Sequence, residues 1–199
     1  MVGQEVTLTV SGVASAPDVA AIGDSEGGLG VSLAVISSTA LRFEPCDDGA
    51  SDVALAPRSY ELLGDPPPSE SITTAVQNWC GLRVDVGPAT AEVEGVPEGA
   101  SLYVEASDSD GTPLSFTSDA SSTLRFETDA AASFGNQPLL LGIDVSVWLA
   151  DLPLDPDMSD AAAEQLSSQL QAAARLFVDD NGNGKLDDDE TASAIESTP

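Results

Sequence analysis

Histidine is absent from the 199 residues, and lysine occurs once, as Lys185, beside five arginines. Without histidine there is no Ser-His-Asp or Cys-His nucleophile system, no HExxH zinc protease and no histidine-ligated haem. Against these six cations stand 34 aspartates and glutamates, a net charge of −28 and a pI near 4.1. A surface so acidic repels phosphate and anionic lipid, which excludes nucleic acid as a partner and polybasic attachment to membranes. Long apolar runs are also missing. The longest, residues 139–150, is interrupted by Asp144 and is too short to span a bilayer. No basic n-region or apolar h-region follows Met1, so the chain reads as soluble and, if exported, as a mature form. Cysteine is scarce: Cys46 and Cys80 stand 34 residues apart with no CxxC or metal-ligand spacing around either. The expectation is one disulfide, which would place the protein outside the reducing cytosol; the alternative is two buried thiols.

What remains is apolar enough to fold. Hydrophobic residues make up 42% of the chain and mean hydropathy is +0.03, outside the composition of disordered segments. Excess carboxylate in a folding chain suits high salt or divalent cations, since either screens the self-repulsion. Residues 1–150 show no helical periodicity. Short alternating runs there are separated by Gly, Pro, Asp and Ser clusters, as in a β-sandwich. Val6, Leu8 and Val10 alternate with polar residues, and further runs cover 33–43, 59–63, 82–86, 91–96, 102–106, 114–116, 124–126 and 139–149. The expected fold is a mostly β, antiparallel sandwich of roughly eight or nine strands. Pro66, Pro67 and Pro68 belong to a loop, because proline cannot donate to a central ladder. In Leu41/Phe43, Leu82/Val84 and Leu124/Phe126 the apolar residues flank an arginine, so each strand should bury the pair and turn Arg42, Arg83 or Arg125 to the other face.

After Ala150 the pattern changes. Leu166, Leu170, Ala173, Ala174 and Phe177 recur at i, i+4, i+7, i+8 and i+11, which predicts an amphipathic helix over 160–178. Two units are therefore expected: a sandwich over 1–150, and a helix with its following segment, 151–199, packed on it. Directly after the helix stands DDNGNGKLDDDE, which matches D-x-[DN]-x-[DN]-G with Glu at position twelve. Calcium is a hard cation that takes about seven oxygens near 2.4 Å, and short side chains at alternate positions can supply them as a loop winds around it. Asp179, Asn181 and Asn183 would each give a side-chain oxygen, and Lys185 its backbone carbonyl. Asp187 would act through a water, and Glu190 would give two oxygens from the start of a second helix over 188–196. Gly184 permits the sharp turn, and Leu186 should point inward.

Residues 160–197 thus resemble a single EF-hand, as in dockerin-like modules. The resemblance implies helix, calcium loop and helix, although no second loop is present to pair with it. Residues 1–150 resemble in layout the β-sandwich modules of secreted bacterial lipoproteins and fimbrial subunits, on Ile36, Leu41 and Phe43, then a loop, then Cys80, Gly81, Leu82, Arg83 and Val84 leading to Gly87.

Other acidic groups have simpler readings. Asp108 and Asp110 before Gly111 spell a hairpin turn, with a second cation site as the alternative. Asp47, Asp48 and Asp52 around Gly49 are ambiguous in the same way, and Asp151, Asp155, Asp157 and Asp160 suit a helix N-terminus. Trp79 and Trp148 read as core aromatics in a chain only 5% aromatic. The sequence therefore indicates a secreted or cell-surface protein, with the periplasm as a further option. It is read as a non-enzymatic calcium-binding protein whose ion stabilises the C-terminal segment and whose partners are itself or other extracellular proteins. One rival reading is a subunit of an extracellular fibre or adhesin built by strand pairing; another is a carboxylate-dependent hydrolase, for which 34 acids offer many pairs.

Overall fold

The computed structural model describes residues 4–13, 30–47, 49–76, 78–88, 96–108, 110–128, 133–135, 137–150, 159–187, 190–191 and 194–198. It is a β-sandwich. Among these residues twelve strands and two helices follow one another as β1 (Gln4–Val13), β2 (Gly30–Pro45), β3 (Val53–Leu55), β4 (Arg58–Glu61), β5 (Ser69–Thr74), β6 (Trp79–Val86), β7 (Leu102–Ser107), β8 (Pro113–Ser118), β9 (Ser122–Glu127), β10 (Leu139–Asp144), α1 (Val145–Trp148), α2 (Ser159–Ala173), β11 (Ala174–Val178) and β12 (Ile195–Glu196). The first sheet has the order β12-β11-β10-β1-β5; the second runs β8-β7-β2-β6-β9, with β3 and β4 also paired to β2. All pairings are antiparallel except β1 with β10, which run parallel from Leu8↔Leu139 to Val13↔Asp144. No helix among the described residues is long and apolar enough to cross a membrane.

Alternation decides which face each strand buries. Val6, Leu8 and Val10 meet Leu139, Leu141 and Ile143 and face Leu41, Phe43, Leu82, Val84, Leu124 and Phe126 of the other sheet in one core. The intervening arginines point away, as the pattern requires, and the register sets them in one row, Arg42 opposite Arg83 and Arg83 opposite Arg125. Like charges facing across strands repel, so carboxylates are interleaved. Asp85 lies 2.9 Å from Arg83 and 3.8 Å from Arg42, and Glu127 and Glu44 lie 2.7 and 3.6 Å from Arg125.

Three elements differ from the sequence reading. The expected strand over 139–149 stops at Asp144, whose carboxylate accepts from Ser146 N and Val147 N and caps α1. Trp148 then turns into the core, and its indole N–H donates to Leu166 O at 2.8 Å. The expected helix over 160–178 stops at Ala173. Ala162, Leu166, Leu170 and Ala173 form its buried stripe against β8, β9 and β10. Beyond it, β11 pairs with β10 from Ala174↔Ile143 to Val178↔Leu139. β10 is buried on both faces, and a helix at 174–178 would leave its outer ladder groups unpaired at a cost no helical propensity offsets. β11 and β12 are therefore strands of the first sheet, joined to β1 and β5 through β10. The second expected helix, 188–196, meets the strand β12 at its end; residues 188–189 and 192–193 lie outside the described residues. So do 91–95 of the strand expected over 91–96.

Cys46 and Cys80 are bonded, with Cα atoms 4.8 Å apart, and join the end of β2 to β6. Tyr60 is buried, and its hydroxyl has no hydrogen-bond partner among the described residues. Burial, reinforced by the charge of Glu70 and opposed by Arg58, pushes its phenol up to about 12. The unfolded chain releases that proton near pH 10, so Tyr60 favours the fold fully below pH 10 and its contribution declines as pH rises from 10 to 12. A spectrophotometric titration should show one tyrosine ionising near pH 12, and Tyr60→Phe should remove that step and flatten the alkaline loss of stability.

Candidate metal centre

The loop begins where β11 ends. Asp179 N donates to Pro138 O at 2.9 Å, extending the ladder by one bond and fixing the first candidate ligand against the sheet. Asp179 is only 1% exposed. Its Oδ1 accepts from Asn183 N at 3.2 Å and its Oδ2 from Gly184 N at 2.8 Å. Asn181 Oδ1 also accepts from Asn183 N at 2.9 Å, and Asn183 Oδ1 accepts from Lys185 N at 2.6 Å. The chain is thus wound about the side chains of positions one, three and five. Gly184 makes the winding possible with φ +71°, a left-handed conformation that costs other residues energy. A Cβ there would also stand 3.1 Å from Thr9 Cγ2 and 3.3 Å from Pro67 Cγ. The loop therefore lies on the outer face of the first sheet, seated on β1 and the proline loop.

Glu190 closes the other end, again 1% exposed. Its Oε1 accepts from Asp180 N and its Oε2 from Asp187 N, each at 3.0 Å, so one carboxylate straps both halves of the loop together. Asp187 Oδ2 accepts from Asn181 Nδ2 at 2.6 Å and Asn183 Nδ2 at 2.9 Å. Lys185 reaches the network through its backbone, and its side chain is exposed. Leu186 is half-buried.

Asp179, Asn181, Asn183, Asp187 and Glu190 are brought together, but their carboxylates are occupied by N–H donors. Among the described residues no three His, Cys, Asp or Glu side chains converge as a metal-holding group. The donor chemistry nonetheless fits a hard cation: every side chain offered is an oxygen donor except Lys185, whose carbonyl is the oxygen, and no nitrogen or sulfur ligand competes. Asp179 is a carboxylate withdrawn from water with no Lys or Arg in ion-pair reach among the described residues, a placement that a bound cation would relieve.

Sequence reasoning did not reach the loop's supports. Thr9, Pro67 and Pro138 come from distant parts of the chain and carry no local signal. Beyond the loop, β12 pairs with β11 through Leu176↔Ile195 and Arg175↔Glu196, and Thr198 N donates to Arg125 O of β9 at 2.7 Å. Residues 195–198 therefore stitch an edge of one sheet to an edge of the other.

The weaker acidic groups behave as turns. Asp108 Oδ1 accepts from Asp110 N at 2.9 Å and Thr112 N at 2.8 Å, and Gly111 has φ +79° between β7 and β8. These backbone bonds hold the Asp108 carboxyl below its ordinary range. Asp47 Oδ1 accepts from Gly49 N at 3.0 Å. Asp48, Asp151, Asp155 and Asp157 lie outside the described residues, as does the side chain of Asp160. Trp79 and Trp148 are both fully buried, and Trp79 packs on Phe43 with ring centroids 5.6 Å apart.

No family model matches this sequence, and no curated protein matches it. Among solved structures, MbnP from Methylosinus trichosporium is similar over 77% of this chain and 80% of its own, at 9% identity and a TM-score of 0.44. At that distance nothing about ligand or partner passes to this chain.

Proposed function

We propose that this is an extracytoplasmic, non-enzymatic calcium-binding protein in which the ion fixes the 179–190 loop on the sandwich. One observation carries the reading: positions one and twelve of the loop, Asp179 and Glu190, are buried at its two ends while the intervening ligand positions wind between them. Asp179, Asn181 and Asn183 would hold the ion through side chains, Lys185 through its carbonyl, Asp187 through a water and Glu190 through its carboxylate. Among the described residues β11 leads into the loop and β12 follows it, so the ion would act as a staple between strands. Its effect would reach residues 195–198 and the seam between the sheets. Export is supported by the Cys46–Cys80 disulfide. Mass spectrometry of unreduced protein purified from its native compartment should show no free thiol, and two free thiols would remove the argument for export.

Thermal unfolding tests the calcium reading. An ion bound only by the folded state contributes RT ln(1 + [Ca]/Kd), roughly 1 kcal/mol at millimolar calcium for a site with Kd of about 10⁻⁴ to 10⁻³ M. The melting temperature should rise when chelator is replaced by calcium and change little with magnesium, which prefers six rigid ligands and retains its waters. Equal melting temperatures in chelator and calcium would refute the reading.

A further inference from the structure

A cavity of about 260 Å³ lies on the outer face of the first sheet beside the loop, walled by Val13, Val147, Phe177 and Leu186, with Asp144 and Arg175 among its lining. Gly142 lies buried beneath two of these wall residues. A Cβ at that position would stand 2.9 Å from Phe177 Cε2 and 3.0 Å from Val13 Cγ1, so Val13 and Phe177 close over a position that has no side chain. Two observations mark the cavity as more than a packing defect. Val147, 39% exposed, is the only exposed large hydrophobic residue among those described, and it is part of this wall. Asp144 is only 7% exposed, yet just one of its oxygens is used: Oδ1 accepts from Ser146 N at 3.0 Å, Ser146 Oγ at 2.6 Å and Val147 N at 3.1 Å. Oδ2 has no hydrogen-bond or ion-pair partner among the described residues.

Arg175 does not satisfy that oxygen. Its Nη1 donates to Ala172 O and Ala174 O, each at 2.8 Å, and its Nη2 lies 3.4 Å from Glu196. The guanidinium is therefore already engaged by carbonyls and a carboxylate. What the cavity offers a newcomer is an apolar wall and one acceptor on a buried carboxylate. The net charge of −28 adds a long-range field that concentrates cations and repels anions.

We propose that this cavity binds a small organic ammonium ion with a short apolar body. The ammonium donates to Asp144 Oδ2, and the hydrocarbon lies against Val13, Val147, Phe177 and Leu186. The volume is below that of drug-sized sites, which limits the body to roughly one ring or a short branched chain. This goes beyond the calcium reading and does not require it, although Leu186 belongs to the same loop.

The test compares benzylamine, benzyl alcohol and benzoate by ligand-observed NMR on the full chain in calcium-containing buffer at physiological salt. Benzylamine should bind saturably and about tenfold more tightly than benzyl alcohol, as a charge-assisted bond to a carboxylate implies, and benzoate should not bind. Asp144→Asn keeps an Oδ1 acceptor for the start of α1 and should abolish the tenfold preference. Val147→Trp should block binding of both benzylamine and benzyl alcohol. Equal affinity for amine and alcohol would overturn the proposal. So would a preference that survives Asp144→Asn, which is what diffuse attraction to the acidic surface would give. Should Asp144→Asn lose its near-UV circular dichroism, Val147→Trp decides, and unchanged benzylamine binding there overturns the proposal. Melting temperatures with and without calcium, taken on the same samples, keep the two readings apart: a calcium shift without amine binding removes only the cavity, and amine binding without a calcium shift removes only the ion.

Discussion

Glu190→Gln should remove most of the calcium-induced rise in melting temperature while leaving the sandwich folded. The substitution keeps size and shape but exchanges one carboxylate oxygen for an NH2 group. In the parent, Oε1 and Oε2 each accept from a backbone N–H, Asp180 on one side and Asp187 on the other. A glutamine can accept only one of these and turns a donor toward the second. It also removes the negative charge and one of the two oxygens offered to the ion. A charge-assisted bond is worth about 1.5–3 kcal/mol, so calcium affinity should fall by roughly ten- to a hundredfold. Asn183→Ala should weaken binding less, because it removes a single neutral oxygen. Isothermal titration of the three proteins measures this order directly. A Glu190→Gln protein that binds calcium as tightly as the parent would show that the ion is not held by this loop.

Trp148→Ala should cause the largest loss of stability of any single change considered, about 3–5 kcal/mol. Trp148 is fully buried where α1 meets α2, so its removal would leave a cavity in the core. Its indole N–H is also the donor for Leu166 O, a carbonyl inside α2. Truncation therefore adds a lost hydrogen bond to a cavity. In a domain of this length the melting temperature should drop by roughly 6–20 °C. Trp148→Phe should recover much of the packing and none of the hydrogen bond, so it should fall between parent and alanine. Denaturant unfolding with an unchanged m value is the appropriate measurement, and a loss below about 1 kcal/mol would be incompatible with a fully buried indole.

The parts of this molecule that could be read from sequence are those whose physics is local. Leu41/Phe43 and Leu124/Phe126 announce half-buried strands because only one face is apolar, and the direction of Arg42 and Arg125 follows. The loop is legible for a similar reason, since the spacing of Asp179, Asn181, Asn183 and Glu190 encodes the winding. β10 is different. Its run LLLGID is buried on every residue and has no period, and its end is set by one capping bond from Asp144. β11 was masked by coincidence: Ala174 and Phe177 fall on the helical stripe of α2, although both are buried as strand residues. Only the need of β10 for an outer partner decides between the two conformations, and that need is invisible before the sheet exists. The cavity was out of reach for the same reason, because β1, α1, β11 and the loop each contribute a piece of it.

The parallel pairing of β1 with β10 bears on how the chain reaches its native state. Leu8 must find Leu139, whereas the strands of the second sheet all come from residues 30–127 and their most widely separated partners, Gly30 and Ser107, lie closer together in sequence. Loop-closure entropy rises with separation, and folds dominated by distant pairings are slow, taking milliseconds to seconds. On a ribosome β1 would emerge long before β10 and would have β5 as its first partner, leaving its other edge open until the C-terminal strands arrive. A chain with 34 carboxylates is protected through that interval by its own repulsion, which disfavours the edge-to-edge association that an open strand otherwise invites.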